Sequence, residues 1–273
     1  IEKKEGIVLD DLQRQAVIES ISSGLIIITG GPGTGKTTTI NTIIKYFESE
    51  GESISLAAPT GRAAKRMSEA TSYEAKTIHR LLEITPNSNE NSTSIGTHFE
   101  RNEDNPLEAD VLIIDEVSMV DIFLMNALLK AVAIGTRLIL VGDINQLPSV
   151  GPGTVLKDII ESDCFNVVRL NKIYRQSNRS DIVINAHKIM TNEEIDLSKK
   201  SNDFIFIKQS NPDNVMDSVI SLVRDKLPSY VNAASNELQI MTPMRKGPLG
   251  VEALNSFLQK SLNPSSKQKK EKE

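Results

Sequence analysis

The run Gly30-Gly31-Pro32-Gly33-Thr34-Gly35-Lys36-Thr37-Thr38 has the spacing G-x-x-x-x-G-K-T and follows the apolar residues Leu25 to Ile28. Glycines at this density let the backbone curl until successive N–H groups converge on an anion, and a helix starting near Lys36 adds the positive end of its dipole. Lys36 then reaches toward β- and γ-phosphates, and Thr37 toward Mg²⁺. The chemistry implied is binding of a nucleoside triphosphate.

Val111-Leu112-Ile113-Ile114-Asp115-Glu116 delivers two carboxylates at the end of a second apolar run. Beside a phosphate loop, Asp115 would hold Mg²⁺ and Glu116 would polarise the attacking water as general base, so the pair implies hydrolysis. A third run ends in Gly142-Asp143-Ile144-Asn145-Gln146. The Gln146 amide both donates and accepts, which suits it to sense triphosphate against diphosphate and to relay that state to Pro148 to Gly153. Asp143 serves either in this device or as a turn residue. Adjacent carboxylates point to motors and helicases, and the guanine-reading Asn-Lys-x-Asp segment of GTPases is absent.

Holding these groups together requires a parallel sheet with helices on both faces, the α/β class, with the motifs at the carboxyl ends of the strands. Strands are predicted at Leu25 to Thr29, Ile54 to Ala58, Val111 to Asp115, Leu138 to Val141 and Val167 to Leu170. Helices are predicted at Asp10 to Ser22, Thr37 to Ser49, Gly61 to Ser68 and Asp121 to Ala133. Pro86 to Asn105, rich in Asn, Ser, Thr and Glu, reads as a long mobile surface loop. After Arg175 the pattern gives helices at Ser180 to Ile189, Asp213 to Lys226 and Val251 to Leu262, with strands at Phe204 to Lys208 and Leu238 to Thr242. These are fewer elements than a complete second α/β domain needs. The charged end from Ser265 to Glu273 reads as a solvated tail.

The 273 residues can hold one large or two medium domains, and two are preferred here. No apolar run approaches the ~20 residues needed to cross a bilayer, and Ile1-Glu2-Lys3-Lys4-Glu5 lacks a signal-peptide pattern. A single cysteine excludes an internal disulfide framework and fits a reducing cytoplasm; Cys164 reads as a packing residue. The net charge of −5 does not advertise a polyanion ligand, so any nucleic-acid binding must rest on local patches.

The motifs and their order resemble superfamily 1 helicases, specifically the RecD/TraA branch of exonuclease V alpha-chain-like enzymes. The resemblance runs over nearly the whole chain. Leu9-Asp10-Asp11-Leu12-Gln13-Arg14-Gln15-Ala16 is similar to the adenine-reading segment, with Gln13 at the family glutamine. Ala57 to Met67, with Pro59-Thr60-Gly61-Arg62 and Arg66, is similar to the first DNA-contact motif, and Thr77-Ile78-His79 to its companion. Leu170-Asn171-Lys172-Ile173-Tyr174-Arg175-Gln176 resembles the fourth motif, which makes Arg175 an arginine finger toward the γ-phosphate. Ile240 to Gly250, with Thr242, Arg245 and Lys246, resembles a segment typical of the branch and offers strand-backbone contacts. Arg62, Lys65 and Arg66 stand at i, i+3 and i+4, so they share a helix face that either meets phosphates or is simply solvated.

The resemblance implies a RecA-like phosphate-loop motor domain over residues 1–174, a partial second RecA-like domain over 175–264 and a tail over 265–273. It implies ATP and Mg²⁺ as cofactors, single-stranded DNA as partner, 5′→3′ translocation, and a role in recombination and repair, with other subunits of a helicase–nuclease complex as possible partners. Complete members continue into an inserted domain and two further motifs beyond the point where this chain stops. The chain is therefore expected to be an N-terminal motor fragment that binds ATP–Mg²⁺, hydrolyses it slowly and does not unwind DNA alone. Asn145 stands where many relatives carry Asp. A DNA-binding regulatory module of a helicase–nuclease complex, or an RNA helicase of the same superfamily, are the alternative readings.

Overall fold

A computed structural model describes residue 2 and residues 6–85, 98–172, 180–199 and 201–264. Arg175, residues 86–97 of the expected surface loop and the charged tail lie outside the described residues. The chain divides into two compact units, Ile1–Asp196 and Leu197–Glu273.

The first unit begins with α1 (Asp11–Ser22), β1 (Leu25–Gly30), α2 (Lys36–Ser49), β2 (Ile54–Ala58), α3 (Gly61–Thr71), β3 (Ala75–Thr77) and α4 (Ile78–Leu81). A two-stranded antiparallel pair, β4 (Ile84–Thr85) and β5 (His98–Phe99), follows. Then come β6 (Val111–Ile114), α5 (Ile122–Ala131), β7 (Arg137–Gly142), α6 (Val155–Glu161), β8 (Asn166–Leu170) and α7 (Asp181–Met190). Six strands form one parallel sheet in the order β3-β2-β6-β7-β1-β8, with Ile26 opposite both Ile139 and Asn166, and Leu56 opposite Ile113. The α/β class and its doubly covered parallel sheet are as the patterning implies.

The strands read as unbroken apolar runs because each buries both faces. Ile26 and Ile28 pack with Ile43, Ile44 and Phe47 of α2, whereas Ile27, between them in sequence, packs on the other face with Leu128 of α5 and Leu156 of α6. Ile26, Ile27 and Ile28 are all fully buried, and each contributes on the order of 1.5–3 kcal/mol of burial free energy. Because the sheet is parallel, the carboxyl ends of β1, β2, β6 and β7 share one edge, and all four motif loops emerge there.

The elements additional to the patterning include β3, α4, α6 and the β4–β5 pair, which places His98 and Phe99 of the expected loop in a ladder. β3 is Ala-Lys-Thr, without a β-branched run, and exists through its ladder to β2. α4 and α6 are only four and seven residues long. Cys164 is exposed instead of packed, because the chain turns at Asp163 (φ 51°) just after α6 and lifts it out.

The second unit contains α8 (Pro212–Ser221), which runs through a π-helical turn at Leu222–Lys226 into α9 (Leu227–Val231), and then α10 (Val251–Leu262). Asn211 caps α8, its side chain accepting from the Asp213 N–H, and Met216 of α8, Val223 of the π-helical turn and Leu254 of α10 are the buried apolar residues among the described residues of this unit. The strands expected at 204–208 and 238–242 do not form: neither segment takes part in a ladder. A parallel strand needs a neighbour on at least one side, and none of the described residues supplies one, so Ile205, Phe206 and Ile207 remain half exposed.

Candidate active site

The phosphate loop connects β1 to α2. Gly33 and Gly35 adopt φ of 75° and 84°, left-handed conformations that favour glycine. Gly35 caps α2 without a side-chain hydrogen bond, which leaves the first backbone N–H groups of the helix directed at the loop. At Gly30 a Cβ would lie 2.6 Å from Thr34 Oγ1 and 2.7 Å from the Leu170 carbonyl oxygen, so the loop closes only on a hydrogen atom there. Thr34 is buried and donates to the Gly31 carbonyl at 2.8 Å, fixing the curl. The Lys36 ammonium donates to the carbonyls of Gly30 and Gly31.

Gln13 lies beside this loop instead of on the surface. It is 3% exposed, its amide nitrogen donates to the Gly35 carbonyl at 3.4 Å, and its oxygen accepts from the Asp10 backbone at 3.2 Å in a capping box.

Asp115 and Glu116 follow the last residue of β6. The Asp115 N–H extends the ladder to the Ala57 carbonyl at 2.9 Å, and the Glu116 N–H donates to Asp115 Oδ1 at 2.8 Å. Glu116 sits at φ 56°, uncommon for a side-chain residue, and that turn lets both carboxylates line one cleft. Burial pushes the Asp115 carboxyl up to about 6; the Glu116 charge adds to the rise, while the Glu116 N–H and Lys36 oppose it. Glu116 Oε2 is buried without a hydrogen-bond partner, as a carboxylate awaiting a water or cation would be.

The third motif leaves β7 at Gly142. Asp143 is 2% exposed and accepts from the Asn145 N–H at 3.0 Å, a turn role. Thr29, at the end of β1, accepts from the Ile144 N–H at 3.4 Å, so the phosphate-loop strand and the third motif are tied directly. Gln146 is exposed, and its side-chain oxygen accepts from Ser118 Oγ at 3.5 Å. Sequence reasoning missed Thr29 and Ser118; the signals were a lone hydroxyl ending an isoleucine run and another two residues after the carboxylate pair.

A cleft of about 410 Å³ gathers these parts. Thr37, Asp115, Glu116 and Gln146 line it. Thr60, Arg62 and Arg66 of the loop and helix after β2 line it as well. Thr60 caps α3, its Oγ1 accepting from Ala63 at 3.2 Å, and so aims the first turn at the cleft. Lys65 is not on it: its ammonium meets Glu69 on the outer face at 3.8 Å. Pro59 and Gly61 flank Thr60, and His79 is exposed with its ring 6.0 Å from that of Phe99. Thr242 and Arg245 belong to the second unit, where Thr242 donates to the Leu249 carbonyl at 2.8 Å and Arg245 pairs with Glu252 at 3.3 Å. Arg175 lies outside the described residues. No helix among the described residues is long and apolar enough to cross a membrane.

A family model described as an AAA domain matches residues 13–152. Over 256 residues the chain is 36% identical to the ATP-dependent RecD2 DNA helicase of Deinococcus radiodurans, which covers 94% of this chain and 33% of that protein. It is 40% identical over 174 residues to the RecBCD enzyme subunit RecD of Mycobacterium tuberculosis, covering 55% of this chain and 29% of that one. Among solved structures, one of two Pif1 helicases coordinating at forked double-stranded DNA aligns at a TM-score of 0.47 and 22% identity, over 81% of this chain and 52% of that one. The chain spans about a third of the length of the curated relatives it matches.

Proposed function

We propose that this chain, which belongs to the AAA-domain family, is motor machinery of a RecD-type superfamily 1 helicase, an ATP-dependent DNA helicase acting in recombination and repair. The observation that carries this reading is the single cleft: Thr37, Asp115, Glu116 and Gln146 share it with Thr60, Arg62 and Arg66 of α3, so triphosphate chemistry and a strand-facing helix meet in one place.

In this reading the Gly30–Gly35 backbone cradles the phosphates, and Lys36 exchanges the Gly30 and Gly31 carbonyls for β- and γ-phosphate oxygens. The residues fit Mg²⁺: Thr37 and Asp115 would hold it, and its charge would offset that of the phosphates. Glu116, with one buried carboxylate oxygen unpartnered, orients water and takes its proton. Gln146 reports the γ-phosphate to the segment beyond it, and Arg175 acts as the arginine finger. Pro59, Thr60, Gly61, Arg62, Arg66 and His79, together with Thr242 and Arg245, contact the phosphates of single-stranded DNA. Residues 1–174 then make the first motor domain, and 175–264 begin a second. Movement is 5′→3′, the setting is the cytoplasm, and partners include subunits of a helicase–nuclease complex.

ATPase activity of this chain and of its Lys36→Ala variant, with and without single-stranded DNA, tests the reading. Turnover, however slow, should rise with DNA and vanish in the variant. Equal nucleotide binding by both proteins would overturn it.

A further inference from the structure

We infer that Arg62 and Arg66 are cations of the nucleotide site itself, facing the γ-phosphate end of a bound triphosphate, and that through them α3 carries nucleotide state to its strand-facing first turn. This inference rests on the triphosphate reading above and extends it.

Four observations support it. Arg62 and Arg66 stand one turn apart on the face of α3 that lines the cleft, which Thr37, Asp115 and Glu116 also line. Lys65, the third cation of that segment, is turned outward onto Glu69. Among the residues lining the cleft these two arginines are the cations, and the other charges are the two carboxylates. Lys36 and Mg²⁺ meet the phosphates from the loop side, and cations within the same cleft add to them in offsetting the charge that a γ-phosphate brings beside Asp115 and Glu116. The guanidinium fork matches phosphate oxygens bidentately, which a lysine does not.

The device also couples. α3 starts at Gly61, directly after Thr60, the residue that caps it and lines the same cleft. Arginines drawn onto a γ-phosphate pull on that first turn, and loss of the phosphate releases it. Arg62 and Arg66 are exposed residues outside the buried core, so neutralising them removes no core packing.

The test is titration of the whole chain with ADP and with a non-hydrolysable ATP analogue, without DNA, for wild type, Arg62→Gln, Arg66→Gln and the double variant. The preference for the triphosphate should fall about tenfold in the double variant, with ADP affinity unchanged. Arg62→Lys and Arg66→Lys should restore part of it. An unchanged preference together with weaker single-stranded DNA binding would overturn the inference and leave the arginines as strand contacts alone. Failure of wild type to bind either nucleotide better than Lys36→Ala would instead overturn the triphosphate reading, and this inference with it, before any arginine variant is compared.

Discussion

The side-chain amide of Gln13 bridges the cap of α1 and the carbonyl of Gly35, the residue that precedes the loop lysine. Gly35 holds φ at 84°, one of many conformations open to glycine, so a bond from outside the loop helps to fix that one. Gln13→Ala removes that bond and half of the capping box, at a cost of about 1 kcal/mol in stability. Because the amide acts on the loop, ATP, CTP and UTP should weaken by the same factor. Competition titrations with the three nucleotides check this; a loss confined to ATP would assign Gln13 to the base.

The elevated carboxyl of Asp115 makes the site trade stability for function. Its folded-state pKa of about 6 lies above the unfolded value, so the favourable contribution of this group is complete below about pH 4 and is lost as pH rises through 6. At pH 7.5 the ionised carboxylate costs on the order of 1–3 kcal/mol. Asp115→Asn should therefore raise the melting temperature at pH 7.5, with little change at pH 4, while abolishing ATP turnover. Thermal unfolding at the two pH values decides it. Nucleotide binding that depends on Mg²⁺ should weaken in the wild type as pH falls below 6, when the carboxyl takes up its proton.

Gly30 tests whether the loop tolerates any side chain. A methyl group would press on Thr34 Oγ1 and on the Leu170 carbonyl, and the second of these is backbone in β8, so it cannot move aside. Gly30→Ala is expected to destabilise by roughly 1–3 kcal/mol and to weaken ATP binding at least tenfold. Gly31→Ala, where a Cβ meets nothing within 4 Å, should retain wild-type stability. Chemical denaturation of both variants gives the comparison.

What could be read from the residues, and what could not, divides along locality. β1, its loop and α2 were legible because Ile26 to Ile28 is a run that only a doubly covered strand explains, and because glycine spacing encodes the loop's positive φ values directly. That Arg62 and Arg66 share a face followed from helical spacing; that the face meets Asp115 and Glu116 did not, because it depends on β2 lying beside β6 in the sheet order. β3 escaped notice because Ala-Lys-Thr is extended by pairing with β2, not by its own propensity. The opposite error occurred at 204–208 and 238–242, where residues of high β-propensity have no ladder partner among the described residues. Asp143 was open between chemistry and turn, and its hydrogen bond to the Asn145 N–H puts it in a turn.

The segment that follows Gln146 is anchored to α5 through Gly151, and this anchor is how a change at Gln146 can reach further into the fold. A Cβ at Gly151 would overlap the carboxylate of Asp121 and lie 2.8 Å from its Cβ. Asp121 is the cap of α5, accepting from the Leu124 N–H at 2.8 Å, and the next residue, Ile122, donates its N–H to the Pro152 carbonyl at 3.0 Å. Gly151→Ala therefore forces either the cap or the loop to move, at a cost of about 1–3 kcal/mol, or several degrees in melting temperature. Nucleotide affinity should hold, since the phosphate loop is untouched, while turnover falls because Gln146 loses its position. Asp121→Ala alone removes the cap at a cost of ~1 kcal/mol. In the Gly151→Ala background it also removes the overlap with the carboxylate, leaving only the contact with the Cβ, so the double variant should lose less than the two single losses added together. Strict additivity in thermal unfolding would show that the two residues do not press on one another.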